Sequence, residues 1–100
     1  MADNIKLLIR HKAKLDIKDA HNWYESQREG LGDIFLKDFA SCINFICENP
    51  KSYPVILTEI RRALLKKFPY NVFYLFSKNK VVILACFHSK RNPNTWRARI

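Results

Sequence analysis

The apolar positions change period along the chain, and the changes mark the elements. Ile5–Arg10 reads as a short strand. Ala13, Ile17, Ala20, Tyr24 and Gln27 then recur at helical spacing, with Lys12, Lys14, Lys18, Asp19 and Asn22 on the other side, which predicts a helix from about Lys12 to Arg28. It ends before Gly30-Leu31-Gly32, which holds both glycines of the chain, at a corner where a left-handed residue is needed. A second helix is predicted from about Asp33 to Glu48, with Phe35, Phe39, Cys42, Ile43 and Ile46 as its apolar stripe. Asn49-Pro50 stops it, because the residue before a proline resists helical geometry. Two helices joined by so short a corner form an antiparallel hairpin.

The second half changes to β-like runs. Lys51–Thr58 reads as a connector containing Tyr53-Pro54. Ile60–Lys67, Asn71–Ser77 and Val81–His88 follow, rich in Val, Ile, Phe and Tyr. Phe68-Pro69 and Ser77-Lys78-Asn79-Lys80 separate them, and connections this short predict antiparallel pairing. The tail from Asn92 to Ile100 reads as irregular. The order is βααβββ, an α+β domain over residues 1–100 in which the helical hairpin buries its stripe on the sheet. Val72–Phe76 and Val81–Phe87 are apolar on both alternating faces, although helices on one side of a sheet leave the other side polar. Something must cover the second face: the tail with Trp96, a second copy of the chain, or a dedicated partner.

Charge divides the chain at the same place. The net charge of +9 is carried wholly by the second half: residues 1–50 hold seven Lys/Arg and eight Asp/Glu, and residues 51–100 hold eleven Lys/Arg and one acid, Glu59. Such an excess attracts polyanions, whether RNA, DNA or an acidic protein segment. The three cysteines, Cys42, Cys47 and Cys86, sit in apolar runs and read as buried thiols of a reducing cytosol. No signal peptide is visible and no stretch approaches the ~20 apolar residues of a membrane span, so the expectation is a cytoplasmic protein without membrane contact. His11 and His21 have no companions at metal-ligand spacing, and no glycine loop is built to cradle a phosphate, so neither metal nor cofactor is expected.

Ala13, Asp16, Ile17, Ala20, Trp23-Tyr24-Glu25 and Gly30-Leu31-Gly32 resemble the first-helix signature of RelE/ParE-superfamily toxins. The resemblance continues through Phe35, Asn49-Pro50, Tyr53-Pro54, Ile60-Arg61-Arg62, Phe68-Pro69-Tyr70, Tyr74, His88, Arg91-Asn92-Pro93 and Trp96, and is strongest to the ParE-type branch. It implies a RelE/ParE-like helical hairpin on a curved antiparallel sheet. It also implies growth inhibition and a cognate antitoxin that wraps the toxin with a helical or extended segment. RelE-type members cut mRNA in the ribosomal A site; well-studied ParE-type members inhibit DNA gyrase.

Metal-free RNA cleavage needs a base for the 2′-OH, an acid for the leaving oxygen and cations for the phosphate. His88, at the end of the last strand, Arg62 and the lone acid Glu59 are the residues that could fill those roles. Each also has a plain structural use: His88 as a local strand cap, Glu59 beside a lysine, and Arg61 or Arg62 paired with Asp33 or Asp38. Ribonuclease members of the family often end in a catalytic tyrosine or a dense basic set, whereas this chain has no tyrosine after Tyr74. Arg61, Arg62, Lys66, Lys67, Arg91 and Trp96 are the candidates for binding a target or antitoxin. Three readings follow: a toxin that binds a macromolecular target such as DNA gyrase, which the residues favour over catalysis; an mRNA endonuclease acting on the ribosome; and an inactive member that only binds its antitoxin. A homo-oligomer and a toxin–antitoxin hetero-oligomer are both compatible with these readings.

Overall fold

The structure is a computed structural model that describes residues 5–92 and 94–99; Pro93 and Ile100, which belong to the family pattern and the tail, lie outside them. The chain runs β1 (Lys6–Ile9), α1 (His11–Gln27), α2 (Leu31–Glu48), β2 (Val55–Leu57), β3 (Ile60–Leu64), β4 (Tyr70–Ser77) and β5 (Lys80–His88), then a 3₁₀ turn, Thr95–Arg99. The sheet order is β1-β5-β4-β3-β2. This is the RelE/ParE-like α+β fold, a helical hairpin on one face of a sheet.

The strand read over Ile60–Lys67 ends at Leu64, the tail read as irregular holds the 3₁₀ turn, and the sheet differs from the sequence reading in two further ways. The sheet is mixed, because β1 pairs with β5 in parallel while the other pairs are antiparallel. β1 therefore runs the same way as β5 and β3 and against β4 and β2, a pairing open to it because the long stretch of chain between β1 and β5 lets the two be parallel. The segment read wholly as a connector also contains β2, which pairs with β3 and makes a fifth strand.

The corner between the helices is built by Glu25. Its carboxylate accepts the backbone N–H of Gly30 and of Gly32, each at 3.0 Å, which satisfies donors at the start of α2 that have no partner within the helix. Gly30 has φ 86°, as the turn requires. Gly32 is needed for proximity: a Cβ there would lie 2.8 Å from the His21 backbone oxygen and 2.7 Å from its ring. Gly32→Ala should therefore push the helices apart and cost about 1–3 kcal/mol, the usual range for overpacking, read as a lower urea midpoint. The hydrogen bonds from Gly30 and then Gly32 hold the Glu25 carboxyl below the usual carboxylate range. A depressed folded value means stability that is present above the unfolded value, near pH ~4.3, and lost as pH falls through the folded one. Glu25→Gln should flatten this acid limb of the stability–pH curve; an unchanged limb would show that the corner does not depend on the charge.

Phe35, Phe39, Cys42, Ile43 and Ile46 of α2 pack with Ala13 and Ala20 of α1 on the inner sheet residues Ala63, Val72, Tyr74, Val81, Ile83 and Cys86. Asp38 interrupts that stripe and is buried, accepting the N–H groups of Lys67 (2.8 Å) and Phe68 (3.2 Å). Its carboxylate ties the β3–β4 connection to α2. The Tyr74 hydroxyl donates to the Pro50 carbonyl at 2.8 Å. Burial pushes its pKa to about 12, so it stays a donor. At the β4–β5 turn Lys78 and Asn79 both take positive φ, 53° and 60°, the pattern of a two-residue hairpin matched to strand twist.

The second apolar face is covered by the tail. Ile60, Phe73, Val82, Leu84, Ala85 and Phe87 form an outer cluster closed by Trp96. Trp96 is 9% exposed and stacks on Phe73 with centroids 5.7 Å apart. β5 is apolar throughout because both of its faces are packed, and a register shift sets which residues face which way. Phe73 pairs with Ala85 and Tyr74 with Ile83, leaving Leu84 as a bulge residue. Leu84 and Ala85 then both serve the outer cluster, and Cys86 returns to the inner one.

Candidate functional site

The end of the sheet where β5 stops carries the densest chemistry. Asp16, Asp19 and Ala20 of α1 and Tyr70, Cys86, His88 and Arg91 of the sheet end line a pocket of about 160 Å³. His88 Nδ1 accepts the Lys90 N–H at 3.0 Å, so the ring proton of the neutral side chain sits on Nε2. The ring meets Tyr70 edge-on at 5.2 Å. Burial and the neighbouring Tyr24 push the Tyr70 hydroxyl to about 12. Arg91 is exposed and lies over the Phe87 ring, 4.3 Å from its centroid.

The pocket is braced by a pair 83 residues apart in sequence. Arg99 donates to Asp16 through both guanidinium nitrogens, at 2.7 and 3.1 Å. It also donates to the Leu84 carbonyl at 3.3 Å and sits 4.8 Å from the Phe87 centroid. Asp16 accepts the Cys86 N–H at 3.1 Å as well. These groups join α1, β5 and the tail. Asp16 escaped the sequence reading as a site residue, although it had a signal: an acid three residues after Ala13 and four before Ala20, inside the stripe that α1 buries.

The residues proposed for catalysis are not brought together. Across β4, Ile60 pairs with Leu75 and His88 with Tyr70. Five residues of strand, about 17 Å, therefore separate the two levels, and Glu59 lies at the exposed β2–β3 turn beyond Ile60. Arg62 is exposed and shares the outer sheet face with Ile60 and Phe73, whereas His88 faces the pocket under α1. The intrachain pairs considered for Arg61 and Arg62 are absent among the described residues. Arg61 donates instead to the carbonyls of Tyr53 (2.6 Å) and Lys51 (3.1 Å), Asp33 lies 3.8 Å from His21, and Asp38 takes backbone donors. Lys66 and Lys67 are exposed beside the β3–β4 connection, and Trp96 is occupied on Phe73. Cys42 and Cys86 are buried thiols with raised pKa values, Cys42 at about 11, chiefly through burial. Among the described residues no three His, Cys, Asp or Glu side chains cluster as a metal site, and no helix is long and apolar enough to cross a membrane.

Charge is segregated between the layers. Residues 11–48, which include both helices, hold seven acids against five Lys/Arg, while the sheet from β2 onward and the tail hold the +10 of residues 51–100. The basic excess thus lies with the strands after α2 and the tail, and the mildly acidic balance with the helical hairpin. The family model for the ParE toxin of the type II toxin–antitoxin system parDE matches residues 7–93, and the chain belongs to that family. A solved structure described as the chromosomal ParDE TA system from P. aeruginosa superposes with a TM-score of 0.72. It covers 87% of this chain and 98% of that one at 15% sequence identity, a likeness of fold. Sequence comparison with curated proteins gives no match.

Proposed function

We propose that this ParE-family chain is a growth-inhibiting toxin that acts by binding a macromolecular target, DNA gyrase, and that a cognate antitoxin restrains it. The observation that carries this reading over catalysis is the separation of Glu59 from His88 by about 17 Å along β4. An acid and a base so placed cannot serve one phosphodiester. Target and antitoxin both approach the basic side, where Arg62, Lys66, Lys67 and Arg91 are exposed. Controlled induction in the native host should slow growth and raise DNA-damage signalling, and the purified protein should inhibit gyrase supercoiling.

One observation favours the second reading, an mRNA endonuclease on the ribosome. Tyr70, His88 and Arg91 share one pocket, with His88 Nε2 not engaged by any described residue. Mapping transcript 5′ ends after induction separates the two readings. Codon-phased cuts that vanish in His88→Ala would overturn gyrase binding as the activity.

A further inference from the structure

The outer face of the sheet carries arginines that the rest of the chain does not engage. Arg62 on β3 pairs directly with Phe73 on β4, so the two side chains share that face. Trp96 stacks on Phe73, and the Phe87 ring lies 5.9 Å from the Phe73 ring. The Arg91 guanidinium sits 4.3 Å from the centre of the Phe87 ring, and that of Arg97 sits 5.1 Å from the centre of the Trp96 ring. Arg62, Arg91 and Arg97 are therefore gathered round one aromatic cluster, and all three are exposed. Among the described residues none of them has an acidic partner or a side-chain hydrogen bond. Arg99, on the same Phe87 ring, is instead engaged by Asp16 and the Leu84 carbonyl.

Lysines extend the patch at one end. The Ser89 N–H donates to the Pro69 carbonyl at 2.7 Å, which seats the β3–β4 connection beside the residues that follow β5. Exposed Lys66 and Lys67 on one segment thus border exposed Lys90 and Arg91 on the other. The acids are elsewhere: Asp38 is buried under the backbone of Lys67 and Phe68, and Glu59 lies at the β2–β3 turn.

The surroundings of the arginines select the anion. A guanidinium held over a ring is already positioned and keeps its fork of N–H donors, so it can bind a phosphate bidentately with little further loss of freedom. The rings beneath are closed, since Phe73, Phe87 and Trp96 are all buried. The bases of a single strand find no open aromatic to stack on there, and a protein partner finds no open aromatic anchor between the three arginines. A duplex needs neither, because cations and donors alone hold its backbone. Arginine and lysine also carry no acceptor for the 2′-hydroxyl proton that marks RNA.

We propose that this outer face, through Arg62, Arg91 and Arg97 with the bordering lysines, grips the phosphate backbone of duplex DNA without regard to its sequence. The proposal goes beyond the gyrase reading, and its test contains no gyrase.

The full chain is titrated into a labelled duplex of about 20 base pairs and mixed sequence, and anisotropy is followed from about 50 to about 200 mM salt. Three phosphate contacts give a slope of about −2.7 in log affinity against log salt, an affinity loss of about 40-fold over that range. Arg91→Gln and Arg97→Gln should each reduce the slope by about 0.9. Arg62→Gln, whose guanidinium lies over neither ring, should do the same and decides the matter if a ring-held arginine is needed for folding. Lys18→Gln removes the same charge from the exposed side of α1 and should leave the slope unchanged. No binding up to about 100 μM protein, the weak end of non-specific DNA affinity, overturns the proposal, as does an affinity indifferent to salt. Slopes in the arginine variants equal to that of the unaltered chain overturn it too. Tighter binding to the single strand, or to a duplex RNA of the same sequence, would overturn the assignment to duplex DNA. Poly-L-glutamate that displaces the duplex as well as unlabelled DNA of equal charge would give the face to an acidic protein segment instead.

Discussion

Replacing Phe35 by alanine should destabilise the domain by about 3–5 kcal/mol, the range for truncating a buried aromatic. Phe35 is fully buried, and its ring is where the two layers meet. It stacks on Tyr24 of α1 at 5.6 Å and meets Phe68 and Tyr70 edge-on at 5.4 and 5.2 Å. Each such pair adds about 0.5–1.5 kcal/mol to simple burial. The loss is a large share of the roughly 5–15 kcal/mol available to a domain, so Phe35→Ala should be partly unfolded at 37 °C. Phe35→Leu keeps much of the volume and should recover over half of the deficit. Urea midpoints for the three proteins measure this; a shift for Phe35→Ala no larger than that for an exposed residue such as Phe45 would mean that the aromatic cluster is not what joins the layers.

Periodicity located the helices within about two residues because a buried helical stripe is a local signal, repeated over four or five turns. The β4–β5 hairpin was equally local, since Lys78-Asn79 between apolar runs leaves few turn geometries. The parallel seating of β1 had no local signal: nothing in Lys6–Ile9 says that its neighbour lies more than seventy residues ahead. β2 was hidden because three residues after a proline are too few to show alternation. The bulge at Leu84 is also invisible in sequence, because Leu84-Ala85 looks like ordinary alternation in an apolar strand. The outer face is apolar because Trp96 of the tail closes it, and nothing in the strands themselves distinguishes that cover from an external one.

The candidate site was legible in the same proportion. His88 and Arg91 are close in sequence and meet at one pocket. The reading of Glu59 with His88 required strand registers, which place them at opposite ends of β4. Arg61 looked like a free surface cation but is spent on two carbonyls of the Lys51–Tyr53 segment, a contact that exists only once β3 is beside that segment. Arg62, its neighbour on the opposite face, is the exposed one.

Asp16→Ala should cost about 3 kcal/mol, the lower end of the penalty for leaving one member of a buried ion pair without its partner, because this pair is only partly buried. The side chains of Asp16 and Arg99 are only 13% and 18% exposed, so solvent screens the pair weakly. Without the carboxylate, the Arg99 guanidinium keeps only the Leu84 carbonyl and the Phe87 ring, and the Cys86 N–H loses its acceptor. Arg99→Ala should cost less, because Asp16 retains the Cys86 N–H and can take up water. The double variant should be less destabilised than the sum of the two, with a coupling of about 1–3 kcal/mol, as expected for groups in direct contact. Losing the pair also frees the tail. Trp96 is held on Phe73 three residues before Arg99, so unlatching should move its indole into water. In a Trp23→Phe background, which removes the exposed indole, the emission of Arg99→Ala should shift to the red with the far-UV circular dichroism preserved. Strict additivity of the two substitutions, or an unshifted Trp96 emission, would show that the tail is held by the outer apolar cluster alone and that the Asp16–Arg99 pair is incidental to it.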